Sequence, residues 1–285
     1  MKEIHIKIID KMKSLLFLYF CVAMAFSAMA SSVSDTYVIP NPQQMVCGDG
    51  HFVLRAQASF SCNLAGTDKD DFVSYVSNSP LSLTYKKKGK ADITFKLVSP
   101  ENAKMKEEAY RLKVTKKGIQ AEATSASGLF YAFQSIVQLA RESGSGTYRL
   151  PEVTIEDAPR FSYRGMHLDV SRHFYTKEFV KKQIDALARY KLNRFHWHLT
   201  DGAGWRIEIK KYPELTRETA YRPFPDWKSW WNGGRTYCRQ DAPGASGGYY
   251  TQEDVKEIVE YARQRHITVI PEIEMPAHSE EVLAA

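Results

Sequence analysis

The sequence predicts an α/β protein, a small α+β domain followed by the opening strands of a parallel sheet of the barrel type. Residues 81–123 form several short runs of alternating apolar and polar side chains, and one helix with an apolar stripe comes after them. From residue 163 onward strand-like runs alternate with amphipathic helices, the pattern of a parallel sheet with crossover helices. Two of those runs lead into Asp201 and His278, which sit at strand carboxyl ends if the strands belong to one barrel, and that is the face where barrels do chemistry.

Residues 1–30 read as an export signal. Lys2, Lys7, Lys11 and Lys13 form a basic start, Ser14–Ala28 is an apolar run, and Ala28-Met29-Ala30 fits a small-x-small cleavage site. The apolar run is shorter than the roughly 18 residues of a spanning helix, so export with cleavage, to periplasm or medium and without stable membrane insertion, is expected. Cys21 has no small-residue lipobox before it, which argues against a lipid anchor. Losing four lysines, Glu3 and Asp10 reduces the net charge from +6 to +4, too mild to imply nucleic acid. Of the remaining cysteines, Cys47 and Cys62 are near enough in sequence for a disulfide, which export would permit. No Cys-x-x-Cys pair occurs, which speaks against structural zinc.

Taken in order, Val38-Ile39-Pro40-Asn41-Pro42 is extended, because a residue before proline disfavours helix. Residues 36–157 form the small domain. Leu81–Tyr85, Asp92–Leu97, Tyr110–Val114 and Ile119–Ala123 read as strands, and Lys86-Lys87-Lys88-Gly89-Lys90 as a solvated hairpin tip. Ser127–Leu139 places Leu129, Phe130, Phe133, Ile136 and Val137 at helical spacing with one buried face. No carboxylate pair, metal spacing or phosphate loop is visible here. Gly144-Ser145-Gly146 and Pro151 close the domain, and residues 160–285 form the next. Tyr163–Val170 is a strand, Thr176 caps a helix to Tyr190, and Arg194–Thr200 is the second strand. Gly202 and Gly204 supply the bend after Asp201. A long loop, Tyr212 to Gly248, carries Trp227, Trp230, Trp231 and Tyr237, and loops of this length are usually functional. Thr251 caps a helix over 254–265, and Ile267–Ile273 is the third strand.

Asp169, Asp201 and Glu274 fall at strand ends, with Arg172 and His278 in the turns that follow. Asp201 can orient His278 and stabilise its imidazolium, or the two form a structural pair at the rim. Arg172 offers a planar fork for hydroxyls or a carboxylate, or a salt bridge to Asp169. His196 and His198 share one strand face, where they bind a metal together with Asp201 or His278 or are simply buried and hydrogen-bonded. The loop tryptophans either stack on sugar rings or anchor the loop.

The runs Arg160–Phe174 (RFSYRGMHLDVSRHF), His196–Asp201 (HWHLTD), Gly247–Thr251 (GGYYT) and Pro271–His278 (PEIEMPAH) resemble family 20 of the glycoside hydrolases, the exported β-N-acetylhexosaminidases. Region 36–157 also looks like the small domain that precedes the (β/α)8 TIM barrel in that family. The resemblance implies release of terminal N-acetylglucosamine or N-acetylgalactosamine from glycans by a retaining, substrate-assisted reaction, without cofactor or metal. It implies that Arg172 holds ring hydroxyls of the terminal sugar, and that Asp201 and His278 support a general-acid glutamate. That glutamate belongs to an Asp-Glu pair after a fourth strand, and no Asp-Glu pair occurs in these 285 residues. Ala277 stands where the family commonly has Gly, and Gly202-Ala203 where it commonly has Asp-Gln. A barrel takes about 250 residues, so residues 160–285 are expected to be an incomplete one, inactive alone. An open sheet is expected to leave an unpaired edge and apolar faces unburied, with poor solubility. Two other readings are a non-catalytic carbohydrate-binding module, using Arg172 and the loop aromatics, and a metal-dependent barrel hydrolase, using His196, His198 and Asp201.

Overall fold

Residues 36–100 and 105–285 are described in the computed structural model of the chain, and the expected leader at 1–30 lies outside them. The first part is one mixed sheet built from β1 (Gln44–Leu54), β2 (Ser59–Cys62), β3 (Thr84–Tyr85), β4 (Ile93–Leu97), β5 (Tyr110–Thr115), β6 (Gly118–Ala123), β7 (Arg141–Glu142) and β8 (Tyr148–Asp157). Its order is β1-β8-β5-β6-β4-β2-β3, with β7 added on β8. Helices α1 (Gly66–Ser77) and α2 (Ala126–Leu139) pack against it. Phe60, Phe72, Phe95 and Phe133 meet edge-on at the centre, with Phe72 and Phe95 centroids 4.9 Å apart.

Four expectations for this part change. The strand expected from Leu81 shrinks to Thr84–Tyr85, since Ser82 turns the chain with φ 49° while Leu81 and Leu83 are buried. The lysine cluster is no hairpin tip: β3 and β4 both run parallel to β2, on its two sides, so the cluster lies on a connection that crosses β2. Cys47 on β1 and Cys62 on β2 are free thiols. Five strand spacings of about 4.8 Å separate β1 from β2, far beyond disulfide reach. Finally, α2 is buried nearly all round rather than on one face. One side meets the sheet, and the other meets the second part, where Gln138 Nε2 donates to Arg189 O at 2.7 Å and Phe130 packs on His266.

The second part begins with β9 (Gly165–Asp169), α3 (Lys177–Arg189) and β10 (Arg194–His198). A tight pair, β11 (Thr200–Asp201) with β12 (Gly204–Trp205), follows directly. Of the two glycines expected to bend it, Gly204 takes positive φ, 156°. Gly202 has no such φ; a Cβ there would strike the Glu280 carboxylate. The long 212–248 stretch contains α4 (Glu214–Thr219), β13 (Tyr221–Arg222), α5 (Trp227–Asn232) and β14 (Ser246–Gly247), with β13 paired to β14. The chain continues through α6 (Gln252–Arg263), β15 (Thr268–Glu272) and α7 (Glu280–Ala284). Strands β15-β10-β9 form a parallel sheet with consecutive strands adjacent, a partial barrel. Phe195 and Trp197 on one face of β10, and Leu199 just beyond it, are fully buried in one cluster with Val180, Ile184 and Ile258 of α3 and α6. The apolar face of the central strand is therefore covered, while Met166 and Leu168 of β9 and Val269 of β15 are only partly buried, so the expected incomplete cover holds at the two outer strands. The other face carries His167, His196, His198 and Glu272. Among the described residues, no helix is long and apolar enough to cross a membrane.

Candidate active site

Register brings Asp169, His198 and Glu272 side by side at the carboxyl ends of β9, β10 and β15. Just beyond them the chain turns three times. Asp169 Oδ1 accepts from the backbone N–H of Ser171 and Arg172 at 2.9 and 3.0 Å, fixing the first turn. Ser171 Oγ, fully buried, donates to Asp201 O and Gly204 O and so ties this turn to the β11–β12 hairpin. Glu274 N donates to Thr200 Oγ1 at 2.9 Å and ties the third turn to the same place.

On this frame Arg172, Asp201 and His278 come together. Asp201 Oδ2 lies 2.6 Å from Arg172 Nη2, 2.9 Å from His278 Nδ1 and 3.3 Å from His198 Nε2. Arg172 Nη1 also pairs with Asp169 Oδ2 at 2.8 Å, so the rim salt bridge exists beside the Asp201 contact. Asp201 and His198 are buried, Arg172 is half-buried, and His278 is exposed. Burial alone would raise the Asp201 carboxyl, but both imidazoles and Arg172 outweigh it and hold it below the usual carboxylate range. For His198, burial alone would lower the pKa, yet Asp201 and Glu272 lift it to about 9. An ionised carboxylate only accepts, so Asp201 is the acceptor for the Arg172 fork and for whichever imidazole nitrogen carries a proton toward it. The result is an acceptor with fixed charge, an exposed imidazole and a guanidinium fork around one point.

Of the other sequence candidates, His196 turns away from Asp201 and contacts Glu272 at 2.7 Å, so the set His196, His198 and Asp201 is not assembled. Trp230 is buried and donates to Thr236 O; it anchors the loop. Trp231 is half-exposed beneath the Arg235 guanidinium, 3.6 Å from its centroid, with Trp227 beside it. Tyr237 donates to Gly202 O, holding the turn after Asp201.

Sequence reasoning gave no role to Arg206, Arg222 or Glu281, all buried. Arg206 donates to Ser171 O at 2.8 Å and to Ala203, Ala220 and Gly248 carbonyls, clamping four loop segments together. Gly247 is needed beside it: φ is 146°, and a Cβ would lie 2.2 Å from Ala220 O. Arg222 donates to Arg172 O at 2.7 Å. Among the described residues no side chain hydrogen-bonds either carboxylate oxygen of Glu281; burial, with Asp201 and Glu280 adding to it against a contribution from its own backbone N–H, pushes its pKa up to about 7. In a cleft elsewhere, lined by Tyr75, Asp185, Tyr261 and Arg265, the polar lining groups are paired with one another: Arg265 lies 3.4 Å over Tyr261 and 2.6 Å from Asp185. Converging charge, not cavity size, locates the site.

The chain matches known proteins along nearly all of this length. The model described as "Glycosyl hydrolase family 20, domain 2" matches residues 35–158, and that of the family's catalytic domain matches 161–285. A beta-hexosaminidase of Vibrio furnissii is 38% identical over 262 residues, 90% of this chain and 40% of the relative. One from Porphyromonas gingivalis is 47% identical over 187 residues, 64% of this chain and 22% of the relative. Among solved structures, an exo beta-N-acetylglucosaminidase of Vibrio harveyi in complex with N-acetylglucosamine superposes with TM-score 0.73 at 34% identity, covering 89% of this chain and 39% of that one. The beta-N-acetylhexosaminidase of Bacteroides fragilis gives 0.72 at 34%, covering 87% and 47%. The chain thus spans less than half the length of these relatives. With both parts matched in order, the small sheet domain and the partial barrel, the chain belongs to glycosyl hydrolase family 20.

Proposed function

We propose that this chain supplies the sugar-binding and acid-supporting side of a β-N-acetylhexosaminidase site, which releases terminal N-acetylglucosamine or N-acetylgalactosamine from glycans. One observation carries the reading: Arg172 and His278 meet on Asp201 Oδ2, at 2.6 and 2.9 Å, beyond the carboxyl ends of the three strands. In this reading the half-buried Arg172 fork holds sugar hydroxyls. Asp201 and His278 set the protonation of a glutamic acid that protonates the leaving oxygen. The substrate's own acetamido oxygen attacks the anomeric carbon, so the anomeric configuration is retained. Export by the 1–30 leader would bring the protein to glycans outside the cytoplasm.

Because residues 1–285 contain no Asp-Glu pair, the reading requires that the chain by itself turns over no nitrophenyl N-acetyl-β-glucosaminide. Joined in frame to the remaining barrel strands of the Vibrio furnissii relative, it should release nitrophenol with retention of configuration. Arg172→Ala in that chimera should lower kcat/KM by at least about a hundredfold, as loss of a charged substrate contact does. A folded, soluble chimera without turnover, or one indifferent to Arg172→Ala, would overturn the proposal.

A further inference from the structure

Behind the Asp201 cluster, on the polar face of the parallel sheet, three imidazoles close on a single carboxylate oxygen. Glu272 Oε2 lies 2.7 Å from His196 Nε2, 2.8 Å from His198 Nδ1 and 3.4 Å from His167 Nε2. The ligating atoms of His167, His198 and Glu272 all fall within 4.8 Å of one another. The His198–Glu272 contact is a charge pair at hydrogen-bonding distance but poorly aligned for a hydrogen bond. His198 Nδ1 and Glu272 Oε2 are both buried and both lack an aligned hydrogen-bond partner, although they are close enough to pair as charges. His198 is 4% exposed, so water does not satisfy its nitrogen from bulk. The rings also stand at steep angles, His167 to His196 at 86° and His167 to His198 at 66°, so their nitrogens approach one region from different directions instead of stacking.

His198 has the further feature of a metal-binding imidazole. Such a ring donates its other N–H to a carboxylate, which fixes the tautomer and leaves the free nitrogen aimed at the ion. Here Nε2 faces Asp201 Oδ2 at 3.3 Å while Nδ1 faces the cluster. Tetrahedral zinc, with bonds of about 2.0–2.2 Å to nitrogen and oxygen, sets neighbouring ligand atoms about 3.4 Å apart; His167 to Glu272 matches that at 3.4 Å, and His198 to Glu272, at 2.8 Å, would have to open slightly. We propose that His167, His198 and Glu272, with His196 at the open side, form a site for one divalent transition-metal ion of the zinc type. The set differs from the one the sequence spacing suggested, since His167 and Glu272 take the place of Asp201. Its ligands come from β9, β10 and β15, so the ion would cross-link all three strands. The proposal does not depend on the hexosaminidase reading, and activity is not its readout.

The test uses the full chain purified without an affinity tag and stripped with a chelator. Titration with Zn2+ alone should show one equivalent bound. Co2+ in its place should give the intense visible absorption of tetrahedral coordination. At a hundredfold excess over Kd, Zn2+ should raise Tm by roughly 5–10 °C. His167→Asn, on an exposed side chain, and Glu272→Gln should each weaken binding at least tenfold, and Asp201→Asn by about 10–100-fold through loss of the orienting carboxylate. Binding of no equivalent at micromolar Zn2+, or equal affinity in His167→Asn and the parent, would overturn the site. If Glu272→Gln does not fold, the parent spectrum decides alone: a weak, octahedral-type Co2+ band refutes the ligand set.

Discussion

Asp201 Oδ2 is the point on which a guanidinium and two imidazoles converge, and Asp201→Asn keeps its shape while removing the charge they share. Arg172 and His198, 3.2 Å apart, would then lose the charge between them and keep only Asp169 and Glu272 on their far sides. A fully buried pair broken this way loses 3–5 kcal/mol; with Arg172 half-buried and His278 exposed, a loss of about 2 kcal/mol is expected, read from urea unfolding. An unchanged midpoint would mean that the cluster adds nothing to the fold. Lys191 gives a pH test. It is buried, it donates to Tyr110 Oη at 2.8 Å, and its Nζ lies 3.3 Å from Asp157 Oδ2. Burial lowers its pKa from 10.5 to about 8, and Asp157 only partly restores it. Between those values the unfolded chain holds a proton that the folded chain has released, so this group's contribution rises with pH across the window and is lost as pH falls through 8. Relative to Lys191→Met, the parent should gain up to about 3 kcal/mol from pH 8 to 10.5 and show no difference in slope below 8. Parallel stability curves would refute the shift. Arg172, Asp201 and His278 were legible in the sequence because each follows a strand end. His167 and Glu272 were not, since only cross-strand register places them together. The roles of Arg206, Arg222, Lys191 and Glu281 were hidden because their residue types are ordinarily at the surface.

Elements were legible where local chemistry determines them. Thr176 caps α3 by accepting from Phe179 N, and Thr251 caps α6 with a full reciprocal box, accepting from Asp254 N at 3.0 Å while Asp254 Oδ2 accepts from Thr251 N at 3.0 Å. Lys177 joins the two helix starts by reaching Asp254 Oδ1 at 2.7 Å. Thr251→Ala should therefore destabilise by about 1 kcal/mol, and Thr251→Ser should restore most of it, as measured by chemical unfolding. Equal losses in both variants would place the effect in packing of the methyl group instead. Elements without local signals escaped the sequence. β1 has Gly48 and Gly50 near its middle and a register shift between Cys47 and His51, which breaks the alternation. In α2 the stripe of Phe130, Phe133 and Ile136 was visible. Its opposite side, with Tyr131, Ser135 and Gln138, looked solvent-facing but is buried, because each polar atom finds a partner: Tyr110 with Ser135, Gln138 with Ile39 and Arg189.

At the scale of the whole molecule, the two parts share one core. Buried apolar side chains run without a break from Val38 and Phe52 through α2 to Phe195, Trp197 and Ile267. Polar ties cross the same boundary: Arg164 to Glu108 at 2.9 Å, Asn193 to Glu108 at 3.2 Å, Lys191 to Asp157 at 3.3 Å, and Arg263 to Asp71 at 2.8 Å. The three-stranded parallel sheet has unpaired neighbours on the outer sides of β9 and β15 among the described residues, and its cover on the apolar face comes from α3 and α6, which lean in turn on the first part. Such a sheet should have little stability of its own, since so few strands need an external packing partner. Residues 36–285 should therefore unfold in one cooperative step, with the calorimetric enthalpy equal to the van't Hoff value. Glu108→Ala removes the acceptor for Arg164, Asn193 and Tyr131 together, and should lower that single Tm by roughly 4–8 °C for a loss of about 2 kcal/mol without splitting the transition. Two resolved transitions in the parent, or cooperative melting of isolated 160–285, would show that the partial barrel stands without the sheet domain.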